Sequence, residues 1–197
     1  MLKVTAVSIA LLGWAGAALA QQCSATAQAP DATWTAAPLG TAPPDAALKT
    51  TTHLRCLGCK PEVSMLLAAG PASPALQNMP VGKKTGMAWA RAVVADEAQR
   101  EGFLQSVLRS ELRSSPGCKI QGRVHGIAEI GGMGLIGTYI QAECAQPPAK
   151  LSGEFFSGYD GKCEYQVQLV WGSGAAPISV EGQAAVRSLL KSVRFGG

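Results

Sequence analysis

Six cysteines, Cys23, Cys56, Cys59, Cys118, Cys144 and Cys163, constrain this chain more than any other feature of it. They follow a leader with the makings of an export signal. Met1-Leu2-Lys3 gives a positive start, Val4 to Ala17 carries no charge, and Ala18-Leu19-Ala20 forms an A-x-A peptidase site before Gln21. A bilayer span needs about 20 apolar residues. This run is shorter, so the expectation is cleavage between Ala20 and Gln21, not a retained anchor. Gln21 and Gln22 separate Cys23 from the small residues, which sets aside a lipid-anchored product. Export would carry the even cysteine set to a periplasmic or secreted setting, where disulfides are the default. Six cysteines allow about 15 connectivities. Strand parity points Cys118, Cys144 and Cys163 inward. The pairing expected here is Cys144 with Cys163 and Cys23 with Cys118.

The rest of the chain divides into an extended, Ala/Thr/Pro-rich lead-in over 21–50, docked by Trp34 and Leu39, and one domain over 51–197. Charged residues are 15% of the chain, well under the usual quarter, which argues against a disordered, highly charged polypeptide. The formal net charge is +4, with Lys3 inside the leader, and that is too little to argue for a nucleic-acid partner. Lys83-Lys84, Arg91, Arg100, Arg109 and Arg113 are scattered, as on a solvated surface. Glu129 interrupts the apolar stretch from Ile127 to Ile140, so no membrane span is expected after the leader is removed.

Local signals predict the elements. Pro61-Glu62 ahead of Val63, Met65, Leu66 and Leu67 reads as a helix over 61–69, stopped by Gly70-Pro71. Residues 71–86 read as a loop, and 87–94 as a strand. Asp96 with Gln99 three residues on is a capping-box pattern. The helix it opens carries Phe103, Leu104, Val107, Leu108 and Leu112 at helical spacing and ends at Ser114-Ser115-Pro116-Gly117. Strands are expected over 118–129 and 135–144. Another pair, 154–159 and 162–171, flanks Asp160-Gly161, a strong hairpin signal. A last helix starts near Ser179 and lines up Ala185, Val186, Leu189, Leu190 and Val193. This order predicts an α+β fold: a single antiparallel sheet with helices packed on it, sandwich-like in its α/β/α layering.

The C-terminal part, GTYIQAEC, SGEFFSGYDGKCEYQVQLVW and AAVRSLLKSVRF, resembles the end of PsbP/Mog1-like domains over roughly residues 95–195. The resemblance implies an α/β/α sandwich around an antiparallel sheet. It implies binding or assembly work and no catalytic residues.

Two patterns could carry chemistry. Cys56-Leu57-Gly58-Cys59, with Lys60-Pro61 and a predicted helix after it, resembles locally a thioredoxin active-site turn. A thiol at a helix N-terminus has a lowered pKa because unpaired N–H groups stabilise the thiolate. The competing reading makes both cysteines structural. Lys60 stands where a haem-attachment motif needs histidine. His53, Cys56 and Cys59 give three metal ligands, short of a closed tetrahedral set, and Met65 reads as core on a helix face. The second pattern, Gly132, Gly134 and Gly137, is a formal G-x-G-x-x-G, but the alternating run Thr138 to Glu143 follows it. Without a helix to supply N–H groups, the motif reduces to a turn between strands. His125 falls opposite in parity to Val124, so it reads as an edge or solvent-facing residue.

No cofactor and no metal site is expected. The functional expectation is a non-enzymatic, exported protein that binds an unidentified protein or small ligand, or assists assembly. The loop 71–86 and the glycine turn 131–134 are its contact candidates. Two alternatives stand beside it. One is a thiol–disulfide oxidoreductase or thiol metal carrier using Cys56 and Cys59. The other is an exported immunity protein.

Overall fold

The computed structural model describes residues 23–39, 48–77, 84–145, 148–172 and 178–196. The leader and its cleavage point at Ala20 and Gln21 lie outside the described residues. Nine strands run β1 Ser24–Thr26, β2 Trp34–Ala36, β3 Lys49–Cys56, β4 Val63–Pro71, β5 Cys118–Ile130, β6 Met133–Ala145, β7 Pro148–Tyr159, β8 Cys163–Gly172 and β9 Arg194–Gly196. The helices are α1 Pro74–Gln77, α2 Gly86–Ala95, α3 Glu97–Ser114 and α4 Val180–Leu190. Seven strands form one antiparallel sheet in the order β2-β3-β4-β8-β7-β6-β5, and β1 pairs with β9 in a separate two-stranded ribbon.

The expectation of a single antiparallel sheet with helices packed on it in a sandwich-like arrangement is therefore overturned. The fold is mostly strand, and its strands belong to two sheets. The physical reason lies in the N-terminal third. Three of the seven strands of the large sheet come from it: β2 from residues read as lead-in, β4 from residues read chiefly as helix, and β3, apart from Lys49 and Thr50, from a stretch assigned no element. In β4, Val63, Met65, Leu67 and Ala69 are all buried, a period of two that the Pro61-Glu62 helix signal masked. Met65 is core, as expected, but in a strand. The lead-in contributes β1 and β2, and buries Trp34 while Leu39 stays half exposed.

The converse error occurs at 87–94. Alternating alanines suit a strand by period, yet alanine is also the best helix former. Here the run is α2, burying Trp89, Ala90 and Val93. Trp89 meets Phe103 of α3 and Tyr159 of β7 edge-on, at 6.0 and 6.1 Å between ring centres. α3 begins as its capping residues indicate, with the Asp96 carboxylate accepting from the Gln99 N–H at 3.0 Å. Ser179 caps α4 in the same way, accepting from the Gly182 N–H at 3.1 Å. Adjacent residues of the central strands, Leu135 with Ile136 and Phe155 with Phe156, enter different buried clusters. One cluster holds the α2 and α3 side chains, and the other holds Val186 and Leu189 of α4. Of the predicted loop 71–86, residues 78–83 lie outside the described residues, while Pro74–Gln77 form the single turn α1.

All six cysteines are bonded, as Cys23–Cys163, Cys56–Cys59 and Cys118–Cys144. Both guessed pairs, Cys144–Cys163 and Cys23–Cys118, are wrong. Cys118 stands directly opposite Cys144 in the β5–β6 ladder, 4.0 Å away between Cα atoms. Once that hairpin forms, register leaves Cys144 no other partner. Cys23, just ahead of β1, then meets Cys163 at the start of β8.

Candidate functional site

The C-x-x-C does not sit where a thiol enzyme needs it. Cys56 ends β3, Cys59 lies in the turn that follows, and β4 starts at Val63 with no helix after the motif. The two cysteines are 1% and 5% exposed, so an incoming thiol would have to displace the packed core to reach them. In the sheet, Cys56 lies between Trp34 of β2 and Val63 of β4, and Val63 lies beside Trp171 of β8. Cys59 comes up against the first turn of α4, where a Cβ built on Gly182 would stand 3.6 Å from its own.

The proposed metal partner His53 is separated from Cys56 by strand parity. Leu54 and Cys56 turn into the core, while the His53 ring bonds the Pro38 carbonyl at 2.9 Å. Among the described residues no group of three or more histidine, cysteine or carboxylate side chains assembles as a metal set. His125 sits at the bulge of β5 and is exposed, with its ring edge-on to Phe156 at 6.0 Å. No carboxylate pairs with it among the described residues.

Two carboxyl groups are displaced from their ordinary range by burial. Glu111 of α3 is pushed up to about 7, and Glu164 of β8 is raised despite a bond from the Ser73 backbone.

The glycine turn leads to a different kind of site. Ile130 pairs with Met133, so Gly131 and Gly132 are the two loop residues of the β5–β6 hairpin. Both have positive φ, +58° and +77°, as a tight turn between right-twisted strands demands. Gly131 also has no room for a side chain. A Cβ there would lie 2.9 Å from the Val193 carbonyl oxygen and 3.1 Å from the Phe195 ring. The turn is thus seated on the segment that leaves α4 and enters β9.

This seating opens a cleft of about 590 Å³ lined by Ala128, Glu129, Ile130, Gly131, Gly132, Arg187, Leu190, Lys191 and Arg194. The size is in the range of small-molecule sites. The floor is apolar, with Ile130 buried and Ala128 and Leu190 half-buried. The rim is cationic and exposed. Arg187 in the last turn of α4 and Lys191 at its C-cap, still in helical backbone, stand one turn apart, which places them on one face. Among the described residues neither makes an ion pair, and Glu129 makes none either. Arg194 is committed locally, its Nη1 donating to the Lys191 carbonyl at 2.8 Å and the Val193 carbonyl at 2.7 Å. The lining contains no histidine, cysteine or hydroxyl side chain, so the arrangement can bind but offers no nucleophile or general base of ordinary reactivity beyond Glu129. Sequence reading found the turn but missed the cleft's cations, because Arg187, Lys191 and Arg194 are about 60 residues from it along the chain.

No protein-family model matches the chain, and no curated protein matches it. Among solved structures, the chain is similar to LpqN of Mycobacterium tuberculosis, described as involved in cell envelope biogenesis. The superposition covers 90% of this chain and 86% of LpqN, at a TM-score of 0.44 and 12% sequence identity. A score that low carries nothing across about function.

Proposed function

We propose that this protein is an exported, disulfide-pinned binding module that works without catalysis, and that its contact surface is the cleft between the β5–β6 turn and α4. The observation that carries the reading is the pair of uncompensated cations, Arg187 and Lys191, above an apolar floor. Charges left unpaired at the mouth of a preformed pocket are what a recognition site retains for its ligand. The leader and the three disulfides suit a periplasmic or secreted home. Burial of Cys56 and Cys59 supports a structural role over a thiol enzyme or metal carrier.

Two assays test this. The fluorescent sulfonate 1-anilinonaphthalene-8-sulfonate, an anion with an apolar body, should bind the native protein saturably and lose that binding in Leu190→Glu. In parallel, the protein should not accelerate insulin reduction by dithiothreitol. Catalysis of that reduction, abolished in Cys56→Ser, would overturn the binding reading in favour of the thiol one.

A further inference from the structure

We infer that the cleft takes a single-chain anionic amphiphile, with its head on Arg187 and Lys191 and its chain along Ala128, Ile130 and Leu190. This inference rests on the cleft being the contact surface and adds the chemistry of what enters it.

Two features narrow the ligand. The first is segregation. The cations stand exposed on the helix side of the rim, whereas Ile130 is 4% exposed and forms the floor with two half-buried apolar neighbours. A free inorganic anion would use the rim and leave the floor wet. A neutral hydrocarbon would use the floor and leave the cations unpaired. Only a molecule with both parts satisfies both surfaces.

The second is electrostatic. Like charges at i and i+4 on a helix repel, and among the described residues neither Arg187 nor Lys191 forms an ion pair that would relieve this. An anionic head placed between them removes that repulsion. Arg194 has its Nη1 on two carbonyls, which leaves Arg187 and Lys191 the less restrained cations for the head.

The test is calorimetric titration of the protein with dodecyl phosphate below its micelle concentration, set beside inorganic phosphate and dodecyl maltoside. Dodecyl phosphate should bind one per chain. Inorganic phosphate should bind at least about 100-fold more weakly, since each seated methylene adds up to about fourfold in affinity. Dodecyl maltoside should be at least about tenfold weaker, for want of the charged head. Arg187→Glu with Lys191→Glu should weaken dodecyl phosphate at least about tenfold and leave dodecyl maltoside unchanged. Arg187→Gln with Lys191→Gln, checked for an unchanged circular dichroism spectrum, should show the same order in milder form and separates lost binding from lost fold. Equal binding of inorganic phosphate, equal binding of the maltoside, or indifference to both double variants overturns the inference. A peptide of alternating glutamate and leucine in the same titration separates the two levels of failure. If it binds in an Arg187- and Lys191-dependent way and dodecyl phosphate does not, the ligand class is wrong and the contact surface stands. If neither probe depends on those residues, both fall.

Discussion

Two tight hairpins of this protein, β7–β8 and β5–β6, are built on opposite principles. The β7–β8 turn satisfies itself. The Asp160 carboxylate accepts from the Lys162 N–H at 2.8 Å, the Cys163 N–H at 2.7 Å and the Tyr165 hydroxyl at 2.8 Å, and the Tyr159 hydroxyl donates to the Gly161 carbonyl at 2.9 Å. The Cys23–Cys163 bridge then ties its foot to the N-terminal strand. The β5–β6 turn has no side chains at all. Gly131 is held by its packing on Val193 and Phe195, and the charged groups nearby, Arg187 and Lys191, line an open cleft. The difference teaches where to look for function in a chain without a catalytic constellation. A turn whose donors and acceptors are all spent internally is scaffold. A bare turn beside unspent charge is a surface that has kept its interactions for something else.

That contrast can be broken by experiment, beginning with the largest effect. Replacing Cys23 and Cys163 together by serine should cost the most. The loop they close spans 140 residues, for which the chain-entropy account gives about 5 kcal/mol. Denaturant titration should register that loss, while removal of Cys56 and Cys59, three residues apart, should cost about 2 kcal/mol. A larger loss from the short loop would mean that the scaffold hairpin is not where the staple matters.

Next comes Gly131→Ala. Positive φ and a Cβ driven to 2.9 Å from the Val193 carbonyl together should lower stability by about 2–4 kcal/mol. Gly132→Ala shares the positive φ but meets nothing within 4 Å, so about 1 kcal/mol is expected. Equal losses at the two glycines would show that the turn is not seated on the C-terminal segment.

Asp160→Asn probes the self-satisfied turn and should cost about 1–2 kcal/mol at neutral pH. It also carries a pH signature. Burial by itself would raise the Asp160 pKa. The bonds from the Cys163 and Lys162 N–H groups and the Tyr165 hydroxyl outweigh burial and hold it below the ordinary carboxylate value. A depressed folded-state pKa contributes stability above the unfolded value of about 3.9, and that stability is lost as the pH falls through the folded one. Thermal melts of the native protein between pH 5 and pH 2 should therefore fall more steeply than those of Asp160→Asn. The smallest effect on stability belongs to Arg187→Gln with Lys191→Gln, within about 0.5 kcal/mol of the native protein. Residues retained for a partner should be removable without harm to the fold. A substantial loss would reclassify them as scaffold.

Much of the molecule was legible in its residues. Asp96 and Ser179 announced the starts of α3 and α4, Asp160-Gly161 announced the β7–β8 hairpin, and the alternation from Cys118 to Cys144 announced β5 and β6. The Cys118–Cys144 bond was legible too and was overlooked. A two-residue turn at Gly131-Gly132 fixes the ladder, and counting outward brings the two cysteines within one residue of each other before the bulge between Val124 and Gly126 brings them level. What failed were the segments whose residues suit two structures. Val63 to Ala69 is a short apolar run, and such runs do not tell a buried strand from a buried helix. Met87 to Val94 alternates small and large residues, a pattern a helix can also bury on one face.

The residues alone determined what depends on neighbours a few positions apart: the caps, the tight turns and the even cysteine set. Tertiary structure decided whatever needs groups far apart in the chain to meet. It chose Cys163 for Cys23, it enlisted the N-terminal third in the large sheet, and it carried Arg187 and Lys191 to the mouth of a pocket whose floor lies some 60 residues earlier. Local preferences amount to a few tenths of a kcal/mol up to about one per residue, and burial of a core side chain to about 1.5–3 kcal/mol. Where the two compete, as in β4, packing prevails, and packing is not written in any short stretch of sequence.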